Sequence, residues 1–114
     1  MMATQTEKIR ALNDNFRRNI FTNNTLGEVC LTAGVAALIP WQQLQLLEEI
    51  ATYEDFNEGN DPYQEHDFGS VEYKDTKYFF KIDYYDNDLK YHSPDPANPN
   101  LTHRVMTIMR ADEY

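Results

Sequence analysis

The chemistry open to this 114-residue chain rests on few residues: three histidines, one cysteine and two serines among nineteen carboxylates. His66 and Asp67 are adjacent, so on a strand they point to opposite faces. No two histidines stand at the i, i+4 spacing of a helical metal pair. Asp83, Asp86 and Asp88 lie close together, but the alternate oxygen ligands, glycine and distant glutamate of a calcium loop are missing. A small metal-assisted hydrolase built on His66, Asp67 and Asp83 is the enzymatic reading these residues leave open. The plainer reading is a solvated acidic loop. Neither Ser70 nor Ser93 lies in a nucleophile-elbow pattern. Four glycines supply no phosphate-binding loop. Cys30, in EVCLTAGV, reads as a small core residue. No cofactor is implied.

The carboxylates carry a different signal. The net charge is -9, and residues 54–95 hold twelve acids against four bases and six of the eight tyrosines. So many acids always bring some pair together, which makes a carboxylate pair uninformative for acid–base catalysis. Their concentration in one third of the chain is informative about partners. It disfavours direct contact with nucleic acid or an anionic membrane and favours a basic protein. Carboxylates on a firm scaffold can be gripped by a groove built to neutralise phosphates, and tyrosines among them add rigid contact area. The candidate partner-binding residues are Glu54, Asp55, Glu58, Asp61, Tyr63, Glu65, Asp67, Asp83, Tyr85, Asp86, Asp88 and Tyr91. Some of these must serve the fold instead: Asp61-Pro62 and Ser93-Pro94 initiate turns, and Asp67 or Asp83 can bond loop backbone.

A single domain must position these residues. Thr4 and Glu7 have capping-box spacing, and Ile9, Leu12, Phe16 and Ile20 form one stripe of a helix over about 6–19, with Arg10, Arg17 and Arg18 off it. Asn23, Asn24 and Gly27 mark a turn. A strand follows over 28–33, ended by Gly34. Pro40 opens a second helix to about Tyr53, with Trp41, Leu44, Leu47, Ile50 and Ala51 as its buried face. Residues 66–73 and 77–85 read as strands joined at Lys74-Asp75-Thr76. In the second of these, Tyr78, Phe80, Ile82 and Tyr84 face a core, while Lys77, Phe79, Lys81, Asp83 and Tyr85 face away. SPDPANP favours extended polyproline-like geometry within a long loop over 86–101. A last strand covers 103–109, where Arg104 and Arg110 could pair with acids across the sheet. The expected fold is α+β: an antiparallel sheet of about four strands with two helices packed on one face.

The segments DPYQEHDFGS, FKIDYYDNDL, SPDPANP and RVMTIMRADEY, with IRALNDNFRR and TAGVAAL, resemble a small bacterial family labelled domain of unknown function 3768. The resemblance implies a single bacterial domain of similar size, from genomes and plasmids of proteobacteria, with no assigned catalytic residues. Mobile-element settings are rich in inhibitors of host defence. The expected function is therefore a non-enzymatic, acidic interaction protein, in its sharpest form a DNA-mimicking anti-restriction or anti-CRISPR inhibitor. It would occupy the basic channel of a nucleic-acid-binding defence complex. The alternatives are the hydrolase above or a structural or regulatory module. With no secretion signal and no spanning segment, a cytoplasmic location is expected.

Overall fold

Thr4 opens the first helix, α1 (Gln5–Arg18), through a reciprocal cap: its hydroxyl accepts the Glu7 N–H at 3.1 Å, and Glu7 accepts the Thr4 N–H at 3.1 Å. The computed structural model describes residues 2–22 and 24–114. Asn23, read above as part of a turn, lies outside them. Ile9 and Phe16 are buried as the stripe requires, but so are Asn13 and Arg17, one helical turn away on the same face. Arg17 is therefore an interior cation, not a solvent-facing one. Its guanidinium reaches Asp14 at 3.0 Å and the Tyr53 carbonyl at 3.1 Å, and lies over the Phe56 and Phe80 rings.

The chain continues through β1 (Gly27–Leu31), α2 (Ala33–Ala36), α3 (Pro40–Ala51), β2 (Phe68–Tyr73), β3 (Thr76–Tyr85), β4 (His103–Arg110) and a closing 3-10 turn, Ala111–Glu113. The sheet order is β1-β4-β3-β2. β2, β3 and β4 form an antiparallel meander, while β1 pairs with β4 in parallel. The all-antiparallel expectation fails at that edge. Between β1 and its neighbour run two helices and two strands, and so long a crossover lets β1 enter alongside β4 in the same direction. At Gly27 a Cβ would overlap the Arg104 carbonyl, so the edge strand can approach β4 only as glycine.

The β2–β3 connection is a two-residue hairpin, since Tyr73 pairs with Thr76. Lys74 and Asp75 both take positive φ, as the twist-compatible hairpin turns demand. Tyr78, Phe80, Ile82, Met106 and Ile108 line one sheet face and meet Phe16 of α1, Val35 of α2, and Leu46 and Ile50 of α3. Among the described residues all three α-helices thus cover that face, and the sheet's other face carries none. Tyr114 sets its ring edge-on to Phe68 and Phe79 there, covering the end near Met109.

Three expected core residues lie outside. Trp41 and Leu44 are 63% and 53% exposed, and Cys30 is exposed on the open sheet face. A spacing of three drifts around a helix. From Trp41 to Ile50 is two and a half turns, about 180°, so the two cannot share a face. The buried face of α3 is Leu46, Ile50 and Ala51 with Leu47 beside them. Cys30 follows from the parity of β1, whose exposed positions are Glu28 and Cys30.

Candidate interaction surface

The topology sorts the acids. The start of β2, the end of β3 and the start of β4 lie at one end of the sheet, because Phe68 pairs with Lys81 and Tyr85 with His103. The turn that follows β3 stays at that end: Asp86 bonds back to Tyr91, and Tyr85 bridges to His92. Glu65, Asp67, Asp83, Asp86 and Asp88 therefore gather there, with Tyr85 and Tyr91. The bases nearest in the chain are Lys81, which pairs with Asp83 at 3.2 Å, and Lys90 of the turn. The opposite end mixes Lys74, Lys77 and Arg110 with Asp75 and Asp112, and Arg110 pairs with Asp112 at 3.0 Å.

Burial divides the acidic end. Asp88 and Tyr91 are exposed; Asp83, Tyr85 and Asp86 are half-buried. The Asp86 carboxylate accepts the Lys90 N–H at 3.0 Å, which shapes the turn without spending its charge. Asp67, Asp83, Tyr84, Tyr85 and His92 line an open cleft of about 300 Å³. In it the Asp67 carboxyl is pushed above the ordinary aspartate range, first by burial, then by the nearby charges of Glu65, Asp61 and Asp83. Lys81 answers one of these carboxylates, Asp83, and no ion pair among the described residues answers Asp67.

Beneath the rim, polar side chains tie five segments together. Tyr84 donates its hydroxyl proton to Glu65 at 2.8 Å and accepts from the Asn13 amide at 2.7 Å, and that amide also reaches the Glu65 carbonyl at 3.0 Å. Arg104, fully buried, donates to the Asn13 side chain at 2.7 Å and to the Pro96 carbonyl at 2.6 Å, with its guanidinium over the Tyr84 ring. Arg104 is thus consumed inside and does not reach the outer acids; Arg110 pairs locally with Asp112 and not across the sheet. Burial pushes the Tyr84 phenol well up, so it stays a neutral donor. The long loop is anchored to this network through Pro96 and through Ser93, whose hydroxyl meets Thr102 at 2.7 Å. SPDPANP is a series of turns closed by Asn98 and Leu101, not an extended run.

Asp61 is not at the surface. It is 5% exposed, accepts the His66 N–H at 3.0 Å, and stands 3.6 Å from the His66 ring. The other ring nitrogen of His66 lies 2.8 Å from Asp14, and the ring stacks on Phe56 at 3.8 Å. His66 takes positive φ, an uncommon state for a non-glycine residue. It is therefore held between two carboxylates and lines a cleft with Arg10 and Phe56, while Asp67 and Asp83 line the other. The three residues of the hydrolase reading do not border one cleft. Among the described residues no three His, Cys, Asp or Glu side chains are placed to hold a metal. The remaining candidates, Glu54, Asp55, Glu58 and Tyr63, are exposed on the loop after α3, where Glu54 pairs with Arg18 at 3.2 Å. Sequence reasoning missed the Asn13–Tyr84–Glu65–Arg104 network. The signal available was an asparagine one turn from Ile9 and Phe16 on the apolar stripe.

These features define a small α+β protein with one helix-covered sheet face, one open face, and carboxylates collected at one end of the sheet. The chain belongs to the family described as "Protein of unknown function (DUF3768)", whose model matches residues 31–113. No curated protein and no solved structure matches it. No helix among the described residues is long and apolar enough to cross a membrane.

Proposed function

We propose that this chain is a non-enzymatic interaction protein that presents the acidic end of its sheet to a basic protein partner. The observation that carries the reading is the gathering of Glu65, Asp67, Asp83, Asp86 and Asp88 at one end of a rigid sheet, where Asp67 is crowded by its own neighbours. A lysine or arginine brought to that cleft relieves like-charge repulsion and gains a charge-assisted hydrogen bond at once. Tyr85 and Tyr91 supply contact area beside the charges. In its sharpest form the partner's groove is one that otherwise neutralises phosphates, so the protein is a DNA mimic that inhibits a nucleic-acid-binding defence complex in the cytoplasm. The exposed thiol of Cys30 suits a reducing compartment.

The test is capture from a host extract with the wild-type protein and with the triple variant Asp83→Lys, Asp86→Lys, Asp88→Lys. Each specifically captured protein is then challenged with salt and with duplex DNA. The expected partner is released by salt, lost with the triple variant, and competed off by DNA. Capture indifferent to both charge reversal and salt would refute the acidic surface. Salt-sensitive capture that DNA leaves intact would refute only the mimicry.

A further inference from the structure

The outward face of α3 and its N-cap carry apolar side chains that the described residues leave exposed. Ile39, Trp41 and Leu44 are 58%, 63% and 53% exposed. Trp41 and Leu44 stand three residues apart, and Glu48 continues the same strip one turn on, opposite Leu46 and Ile50 in the core. Beside the strip runs a groove of about 380 Å³ lined by Gln45, Glu48, Glu49, Thr52 and Tyr73. The Tyr73 hydroxyl bonds Gln45 across it, so the β2 edge and the helix form one continuous wall. Helix α3 has no lysine or arginine, and none occurs from residue 19 to residue 73. Lys74, the first base after that gap, lies over the ring of Tyr73 and does not line the groove. Neither Glu48 nor Glu49 forms an ion pair among the described residues.

We infer that this face is a docking site for a basic amphipathic segment of another protein, its apolar side on Trp41 and Leu44 and its cations at Glu48 and Glu49. A second copy of the chain fits poorly. Two parallel α3 helices would set glutamates against glutamates. Two antiparallel ones would bury those glutamates against Ile39 and Trp41, with no cation from either helix. A partner with lysines or arginines beside leucines satisfies both halves of the strip, in the helix-in-groove manner. The site is separate from the acidic end of the sheet, so each can fail without the other.

Trp41 is the one tryptophan of the chain, so its emission, excited at the red edge where the eight tyrosines do not absorb, reports on this face alone. The probe is a synthetic leucine–lysine peptide patterned as an amphipathic helix and free of aromatic residues, with a leucine–glutamate peptide of the same pattern as control. The free protein is expected to show solvent-exposed tryptophan emission that acrylamide quenches readily. The basic peptide should shift the emission to the blue saturably and reduce quenching, while the acidic peptide changes nothing. Glu48→Gln with Glu49→Gln, and separately Leu44→Ser, should each weaken the peptide about tenfold or more, a hot-spot-sized loss. The triple variant at Asp83, Asp86 and Asp88 should bind as the wild type does. Because all substituted residues are exposed or half-exposed, circular dichroism should show every variant folded. The inference is overturned by an unshifted spectrum, by a shift that the α3 variants leave unchanged, by a shift abolished in the triple variant, or by a blue shift that grows with protein concentration alone, which would assign the face to a second copy.

Discussion

Asp14 and Asp67 are two aspartates whose surroundings pull in opposite directions. Burial raises the pKa of Asp14, but hydrogen bonds from His66 and Arg17, with their charges, outweigh it and leave the carboxyl below its ordinary range. A folded pKa below the unfolded one contributes stability that is present above the ordinary aspartate range and is lost as pH falls through the folded value. Removing the carboxylate strands Arg17, whose side chain is 1% exposed. Asp14→Ala should therefore destabilise the protein by roughly 3 kcal/mol, read by urea unfolding at neutral pH. Asp67 runs the other way. Its folded pKa lies above the unfolded one, so the native state holds its proton more tightly, and stability falls as pH rises through the ordinary aspartate range to the folded value. Asp67→Asn should raise the thermal midpoint at pH 7, and the gain should vanish in acid, where wild-type Asp67 is itself protonated. An unchanged or lower midpoint at pH 7 would show that the Asp67 charge is already compensated.

At the scale of elements, the short helix α2 shows how a distant residue completes local structure. Thr32 gives it no side-chain cap. The Glu113 carboxylate does so instead, accepting the Gly34 N–H at 2.8 Å and the Thr32 hydroxyl at 2.7 Å, and it also holds the Arg110 N–H at 2.8 Å. These bonds lower the pKa of Glu113, so their contribution is present above the ordinary glutamate range and is lost as pH falls through the folded value. Glu113→Ala should speed hydrogen exchange at the Gly34 amide while amides of β3 keep their protection. Equal loss at both would mean that the C-terminal turn supports the whole sheet. The same contact explains why α2 was illegible: the strand reads through residue 33 with Gly34 as its end, and the helix that starts there is capped from 79 positions away. Elements whose signals are local were readable, including α1 through its capping box, α3 through Pro40, and the β2–β3 hairpin through its alternation. What depended on tertiary placement was not: the parallel entry of β1 and the inward turn of Arg17 and Arg104. The outward turn of Trp41 was legible from helix geometry, since a repeated spacing of three does not keep to one face; sequence reasoning missed it. The acidic candidates were readable as composition. Register places Asp83 and the turn after β3 places Asp86, both at the open end, whereas loop contacts seal Asp61 against His66.

For the whole molecule, the uneven charge carries an energetic consequence. Residues 54–95 contribute a formal charge of -8 to a total of -9, and the fold brings part of that excess to one end of the sheet. Like charges held close destabilise the native state more than the expanded chain, in which they separate. The Debye length is about 10 Å at 0.1 M salt and about 3 Å at 1 M, so added salt screens exposed carboxylates from one another. The thermal midpoint should therefore climb as sodium chloride is raised from about 0.01 M to about 0.5 M, before any salting-out contribution dominates. Potassium chloride in place of sodium chloride at equal ionic strength separates general screening from specific cation binding, since screening depends on ionic strength alone. The triple charge reversal at Asp83, Asp86 and Asp88 should be more stable than the wild type at low salt, with the advantage shrinking as salt rises. Its stability gain and its loss of partner binding would then have one origin, carboxylates held together at a cost to the fold because a cationic partner uses them. A triple variant no more stable than wild type at low salt would remove that link, because the Lys81–Asp83 pair and the Asp86 turn bond that it loses would then outweigh any repulsion among the acids.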